Sequence, residues 1–179
     1  MSATYEAAQT AGDLNIVAVG WNDTVAAVQS VKDSAGNSYS LAIGPTKGSG
    51  LQESIYYAAN IVGGANTVTV TFNQSAADPD VRILEYRGVA TLDAKAGASG
   101  SSTAANSGSA TTTSANELIF GADMVATNTG AAGSGFTSRI ITKRGDIAED
   151  KVVTTAGSNS ATATVNGSGP WIMQMVTFK

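Results

Sequence analysis

The two-residue period of a strand with one covered face recurs along almost the whole chain. It is clearest in Thr67-Val68-Thr69-Val70-Thr71-Phe72, where threonine alternates with an apolar residue. A turn at Asp78-Pro79-Asp80 leads on into Val81-Arg82-Ile83-Leu84-Glu85-Tyr86, which is apolar on both faces. The pattern predicts an antiparallel hairpin of these two runs, the second of them central in its sheet. Leu14–Trp21 reads as another central strand, with Leu14, Ile16 and Ala18 facing one way and Val17, Val19 and Trp21 the other. A second hairpin is predicted between 27–32 and 38–43. Its loop opens on Asp33 and closes on Gly36-Asn37, residues that tolerate positive φ.

Further strands are predicted at 52–59, 90–94, 110–113, 117–122, 136–142, 151–155, 160–165 and 171–178. In the first of these, Ile55 and Tyr57 share one face while Gln52, Ser54 and Tyr56 share the other. The low-complexity Gly/Ser/Ala stretch 97–109 reads as a long exposed connection, 126–135 as a loop and 166–170 as the last turn. No window carries a helical stripe. Many short strands, with turn signals roughly every 8 to 12 residues, predict an all-β fold: a two-sheet antiparallel β-sandwich. Strand number and length favour a jelly-roll-like arrangement over an immunoglobulin-like one. No repeat or linker divides residues 1–179, so one domain is expected.

Composition narrows the function more than the fold. The chain has 179 residues and a net charge of −4, with an isoelectric point of about 4.6. An acidic, lightly charged surface argues against nucleic acid as a partner. No apolar run approaches the roughly 20 residues a bilayer requires, so membrane insertion is not expected. There is no cysteine and no histidine. Disulfides, structural zinc sites, cysteine nucleophiles and Ser-His-Asp triads are thereby excluded. Met1-Ser2-Ala3 opens neither a basic nor an apolar leader. Either the chain stays inside the cell or it begins after its signal peptide. Abundant Gly, Ser, Thr, Ala and Asn with scarce Lys and Glu are the profile of secreted or virion β-proteins more than of cytosolic enzymes, and a secreted or cell-surface location is expected.

Three groups of side chains are chemical candidates. Asp146, Glu149 and Asp150 lie together, and Asp78 and Asp80 flank a proline. Oxygen-rich stretches of this kind suit calcium, although neither follows the EF-hand pattern. Lys143, Arg144 and Lys151 surround the first, so a solvated salt-bridge patch is the simpler account. Glu85 is the strand-borne acid expected to be buried, which requires a partner for its charge. No second carboxylate pairs with it for glycoside hydrolysis, and no catalytic residue is assigned. A buried acid also suits an intramolecular isopeptide cross-link from Lys to Asn or Asp, for which Lys32 and Lys151 are the candidate lysines. The third group is aromatic. Tyr56 beside Gln52, and Trp21 beside Asn22 and Asp23, fit a flat sugar-binding platform. The competing expectation is that Trp21, Trp171, Tyr57, Tyr86 and Phe120 fill the core.

Several phrases resemble a β-sandwich module of large bacterial secreted or cell-surface multidomain proteins. They are AGDLNIVAVGWND at 11–23, SVKDSAGNSYSLAIGP at 30–45, SIYYAANIVGG at 54–64, VRILEYRG at 81–88, ANELIFGA at 115–122 and WIMQMVTF at 171–178. The resemblance implies an extracellular sandwich and brings no catalytic residues with it. The expected function is a non-catalytic binding or adhesion module whose partner is a glycan or another surface protein. The alternative is a structural subunit or spacer that self-associates through sheet faces or edges.

Overall fold

The structure, a computed structural model that describes residues 1–179, consists of fifteen strands and no helix. In chain order they begin β1 (Ser2–Thr4), β2 (Leu14–Trp21), β3 (Val28–Asp33), β4 (Ser40–Lys47) and β5 (Gln52–Ala58). Then come β6 (Thr67–Phe72), β7 (Asp80–Tyr86), β8 (Leu92–Asn106), β9 (Ala110–Thr112) and β10 (Glu117–Val125). The last are β11 (Asn128–Ala132), β12 (Thr137–Ile141), β13 (Ile147–Val153), β14 (Gly157–Asn159) and β15 (Thr162–Phe178). All pairings are antiparallel, and the sheets stack as a β-sandwich.

The central sheet has the order β4-β5-β2-β7. Every residue of β2 is buried, because both faces of this sheet are covered. On one side Leu14, Ile16, Ala18 and Ile55 meet Leu118, Phe120, Val176 and Phe178 of the large sheet β11-β15-β10-β13-β12, along whose β15 runs β8. On the other side Val17, Val19 and Trp21 meet Val68 and Val70 of the outer sheet β1-β6-β3. A third core lies on the far face of the large sheet, where Ile119, Ile147, Met173 and Met175 are covered by Ala161, Ala163 and Val165. To reach them, β15 shifts register against β8 between Thr164 and Gly169. Ala161 then rests over Gly121, where a Cβ would stand 2.8 Å from it.

This layering corrects both hairpin expectations. β6 pairs with β1 and β3 in the outer sheet, whereas β7 pairs with β2 in the central one. β7 is an edge strand, and it is apolar on both faces because a layer lies above and below it. Likewise β3 and β4 belong to different sheets. Asp33 still shapes the loop between them, accepting from the Asn37 amide at 2.9 Å. Gly36 and Asp78 do take positive φ, but the bends they make carry the chain between layers instead of folding it back within one.

The Gly/Ser/Ala stretch is also corrected. Most of it is β8, a fifteen-residue strand paired with β15 from Leu92–Phe178 to Asn106–Thr162. Its small residues are required by what lies against them. A Cβ on Gly97 would stand 3.0 Å from Thr46 Oγ1 and 3.1 Å from Ile43 Cδ1, because β8 runs against β4. Lys95 Nζ closes the same seam by donating to the Ala42 carbonyl at 2.9 Å. A Cβ on Gly100 would lie 2.5 Å from the Trp171 ring, whose indole N–H donates to Ser102 Oγ. Similarly, 126–135 contains β11, and 166–170 is an irregularity within β15 rather than a turn between strands. Gly100→Val is therefore expected to destabilise the chain by about 1–3 kcal/mol through overpacking against Trp171, measured as a lower urea midpoint with an unchanged slope.

Candidate functional site

The densest polar constellation lies between the central and large sheets, around Arg82. Strand alternation puts Arg82 in phase with Leu84 and Tyr86, so its side chain enters the apolar interface. It is fully buried there. Nη2 donates to Glu53 Oε1 at 2.8 Å, and Nη1 donates to the carbonyls of Asp123 at 2.6 Å and Ile147 at 2.5 Å.

Those carbonyls sit where β10 and β13 part, their ladder ending at Ala122–Ala148. Beyond that point side chains substitute for backbone partners. Asp123 Oδ1 accepts from the Ile147 amide at 2.8 Å, and Asp146 Oδ1 accepts from the Val125 amide at 2.9 Å. Thr129 donates to Asp123 Oδ2 at 2.6 Å. Gln174 Nε2 donates to the Glu53 carbonyl at 2.9 Å and to Thr46. Asp80 accepts from the Thr142 hydroxyl. One guanidinium thus holds the central sheet against a split in the large one.

The charges do not balance if every acid ionises, since Glu53, Asp80, Asp123 and Asp146 all act on one Arg82. Burial pushes Glu53 up to about 8 against the pull of Arg82. Burial likewise raises Asp146 to about 8 and Asp123 to about 6. Burial works against the charge of Arg82, but the surrounding carboxylates outweigh it and lift its pKa further. The guanidinium stays charged, and the cluster holds protons above the ordinary carboxylate range. Glu53 Oε2 and Asp146 Oδ2 are buried without a hydrogen-bond partner.

The residues that the sequence offered as sites are placed elsewhere. Asp146, Glu149 and Asp150 do not form a calcium site. Alternation along β13 sends Glu149 to the far face, where Oε2 accepts from the Gly133 amide at 2.8 Å and burial raises its pKa to about 7. Asp150 points the opposite way, into a two-pronged pair with Arg139 at 2.7 and 2.9 Å and a bond from the Tyr86 hydroxyl. No three acidic side chains converge in a way that could hold a metal ion.

Trp21 is buried, donates to the Ala26 carbonyl at 3.1 Å and packs edge-on against Phe72. Gln52 is buried beside it and donates to the carbonyls of Asp23 and Ala26. Asp23 accepts from the amides of Val25, Ala26 and Ala77. These three side chains shape the 22–26 loop, and Trp21 offers no sugar platform. Asn22 is exposed and Tyr56 half-buried, its face covered by the outer sheet. The polar phase of β5 looked solvent-facing because nothing in its own alternation announces a further layer.

Glu85 is not the buried acid. It is partly exposed and accepts from the Thr10 amide at 2.7 Å. The acids that are buried carry a signal that was missed: Glu53 is in phase with Ile55 and Tyr57, and Asp123 interrupts an apolar run. Lys32 is exposed, and Lys151 places its ammonium 4.5 Å from the Phe136 ring centre, so no cross-link geometry is assembled at either lysine.

No protein-family model, curated protein or solved structure matches the chain.

Two outcomes are expected from this geometry. Arg82→Met removes the only cation from the cluster and is expected to cost about 3–5 kcal/mol in a urea titration, as for a buried pair deprived of one partner. The raised acids also set the pH response. Each holds a proton in the folded chain that the unfolded chain has already released, so stability falls as pH rises from the ordinary carboxylate range toward about 8. Thermal midpoints are expected to decline across that window, with a shallower decline in Asp146→Asn.

Proposed function

We propose that the chain is a non-catalytic, extracellular binding module of a bacterial surface protein whose partner is another protein. The reading rests chiefly on how the candidate chemistry is used. Of the buried acids around Arg82, Asp123 and Asp146 are engaged with backbone amides and Glu53 with Arg82 itself. The ring proposed for sugar stacking, Trp21, is in the core, and its polar neighbours brace a loop. What remains open is a groove of about 400 Å³ at the side of the sandwich, lined mostly by apolar side chains. The resemblance of its phrases to modules of bacterial surface proteins is the support for an extracellular setting.

A structural role is the second reading. β12 is an edge strand exposed at all five positions, including Ile140 and Ile141, and such an edge suits assembly with further copies.

The test is retention of the purified chain on intact bacteria before and after protease shaving, alongside a glycan array and light scattering. Retention lost on shaving, with a silent array and a monomer in solution, is the expected result. Array binding abolished by Tyr56→Ala would replace the protein partner with a glycan. A stable oligomer without cell retention would favour the structural role, and reproducible substrate turnover would overturn both.

A further inference from the structure

The two edges of the central sheet are treated differently. β4 is blunted: its pairing with β5 slips between Leu41 and Ile43 and again between Ile43 and Thr46, and it contains Pro45. It is also closed off by β8 and by Lys95 on the Ala42 carbonyl. Bulges, proline and a covering element are the usual protections of an edge. β7 has none of these. It pairs with β2 without a slip from Tyr86–Leu14 to Asp80–Gly20, and no proline lies within it. Its outer side has no neighbouring strand, and no bond outside the ladders reaches the backbone of Asp80–Tyr86.

That open edge lies on the floor of the groove. Val81, Arg82 and Ile83 form the floor, Ala3 and Tyr5 the wall on the outer-sheet side, and Ile140 the wall on the large-sheet side. Val81 and Ile83 are only half-buried. On one edge of a strand the free backbone donors and acceptors come from alternate residues, about 6.6 Å apart, and another strand is the partner that meets them at that spacing. The groove's volume lies within the range of about 300–1,000 Å³ typical of ligand sites. Glu6, which also lines the groove, is exposed and makes no ion pair.

We propose that β7 accepts an extended segment of a partner protein as a fifth strand of the central sheet. Small or β-branched side chains of that segment alternate between the Ala3/Tyr5 wall and Ile140, and a Lys or Arg stands opposite Glu6. The inference rests on the reading of the chain as a protein-binding module and names its mode of recognition.

The probe is an acetylated, amidated peptide, Lys-Val-Thr-Val-Thr-Val, titrated into the intact chain and followed through backbone amide resonances. Saturable shifts centred on Asp80–Tyr86, Ala3–Glu6 and Ile140 are expected, with none for the fully N-methylated peptide, which has no amide hydrogens. Ala3→Trp fills the groove and is expected to abolish binding while keeping the thermal midpoint. Should that variant misfold, Glu6→Lys serves instead, weakening the lysine-bearing peptide about two- to five-fold, the worth of an exposed charge pair. No binding at millimolar peptide, equal binding of the N-methylated form, or shifts centred elsewhere would overturn the proposal. Dimerisation that Ala3→Trp abolishes would make the occupant a second copy and overturn the assignment to a foreign strand. Cell retention that survives Ala3→Trp would remove this mode of binding and leave the protein-partner reading standing.

Discussion

A single guanidinium fixes how the two main sheets meet. Arg82 reaches from β7 toward the large sheet and serves two carbonyls that the parting of β10 and β13 would leave without donors. Buried backbone carbonyls without partners are costly, and so is a buried charge without a counterion. Arg82 answers the first need, and the acids gathered around it, with Glu53 at 2.8 Å, answer the second. The arrangement is directional where hydrophobic packing is not. Leu14, Ile16 and Phe120 would tolerate small slides of one sheet over the other, but the guanidinium fork would lose its acceptors.

The layered arrangement follows from where the apolar phases fall. β2 is apolar on both phases, so it needs cover above and below, and the outer and large sheets supply it. The large sheet has the same requirement, met by the curling first half of β15. Stacking of this kind leaves few strand faces open to solvent. The openings that remain lie at the sides, where β7 and β12 end their sheets.

Periodicity made most strands visible, because alternation depends on neighbours in the sequence alone. Leu14–Trp21 as a buried central strand and Thr67–Phe72 as a half-covered one are legible from phase and composition. Pairing was not legible, since the Asp-Pro-Asp turn before Asp80–Tyr86 bends the chain equally well toward a new layer as back along the old one. β8 was hidden because glycine and serine usually mark loops, whereas here they mark close approach to Ile43 and Trp171. The polar cluster was half legible. Arg82 and Glu53 each sit on an apolar phase, but that they meet depends on β7 and β5 both flanking β2, at Ala18–Arg82 and Gly20–Glu53. Trp21 and Tyr56 misled for a related reason, since a covering layer is a property of the whole chain.

The position of β15 in the large sheet also bears on how the protein is made. This strand bonds to β10, β11 and β8, yet it is the last of the fifteen to be synthesised. Until it emerges, the large sheet lacks its middle, and the apolar face formed by Leu14, Ile16 and Ile55 has little to rest on. Contacts that join residues as distant as Leu92 and Phe178 also make for slow folding, because loop closure precedes any reward. The nascent chain therefore carries an uncovered apolar sheet face until its last strand has been made.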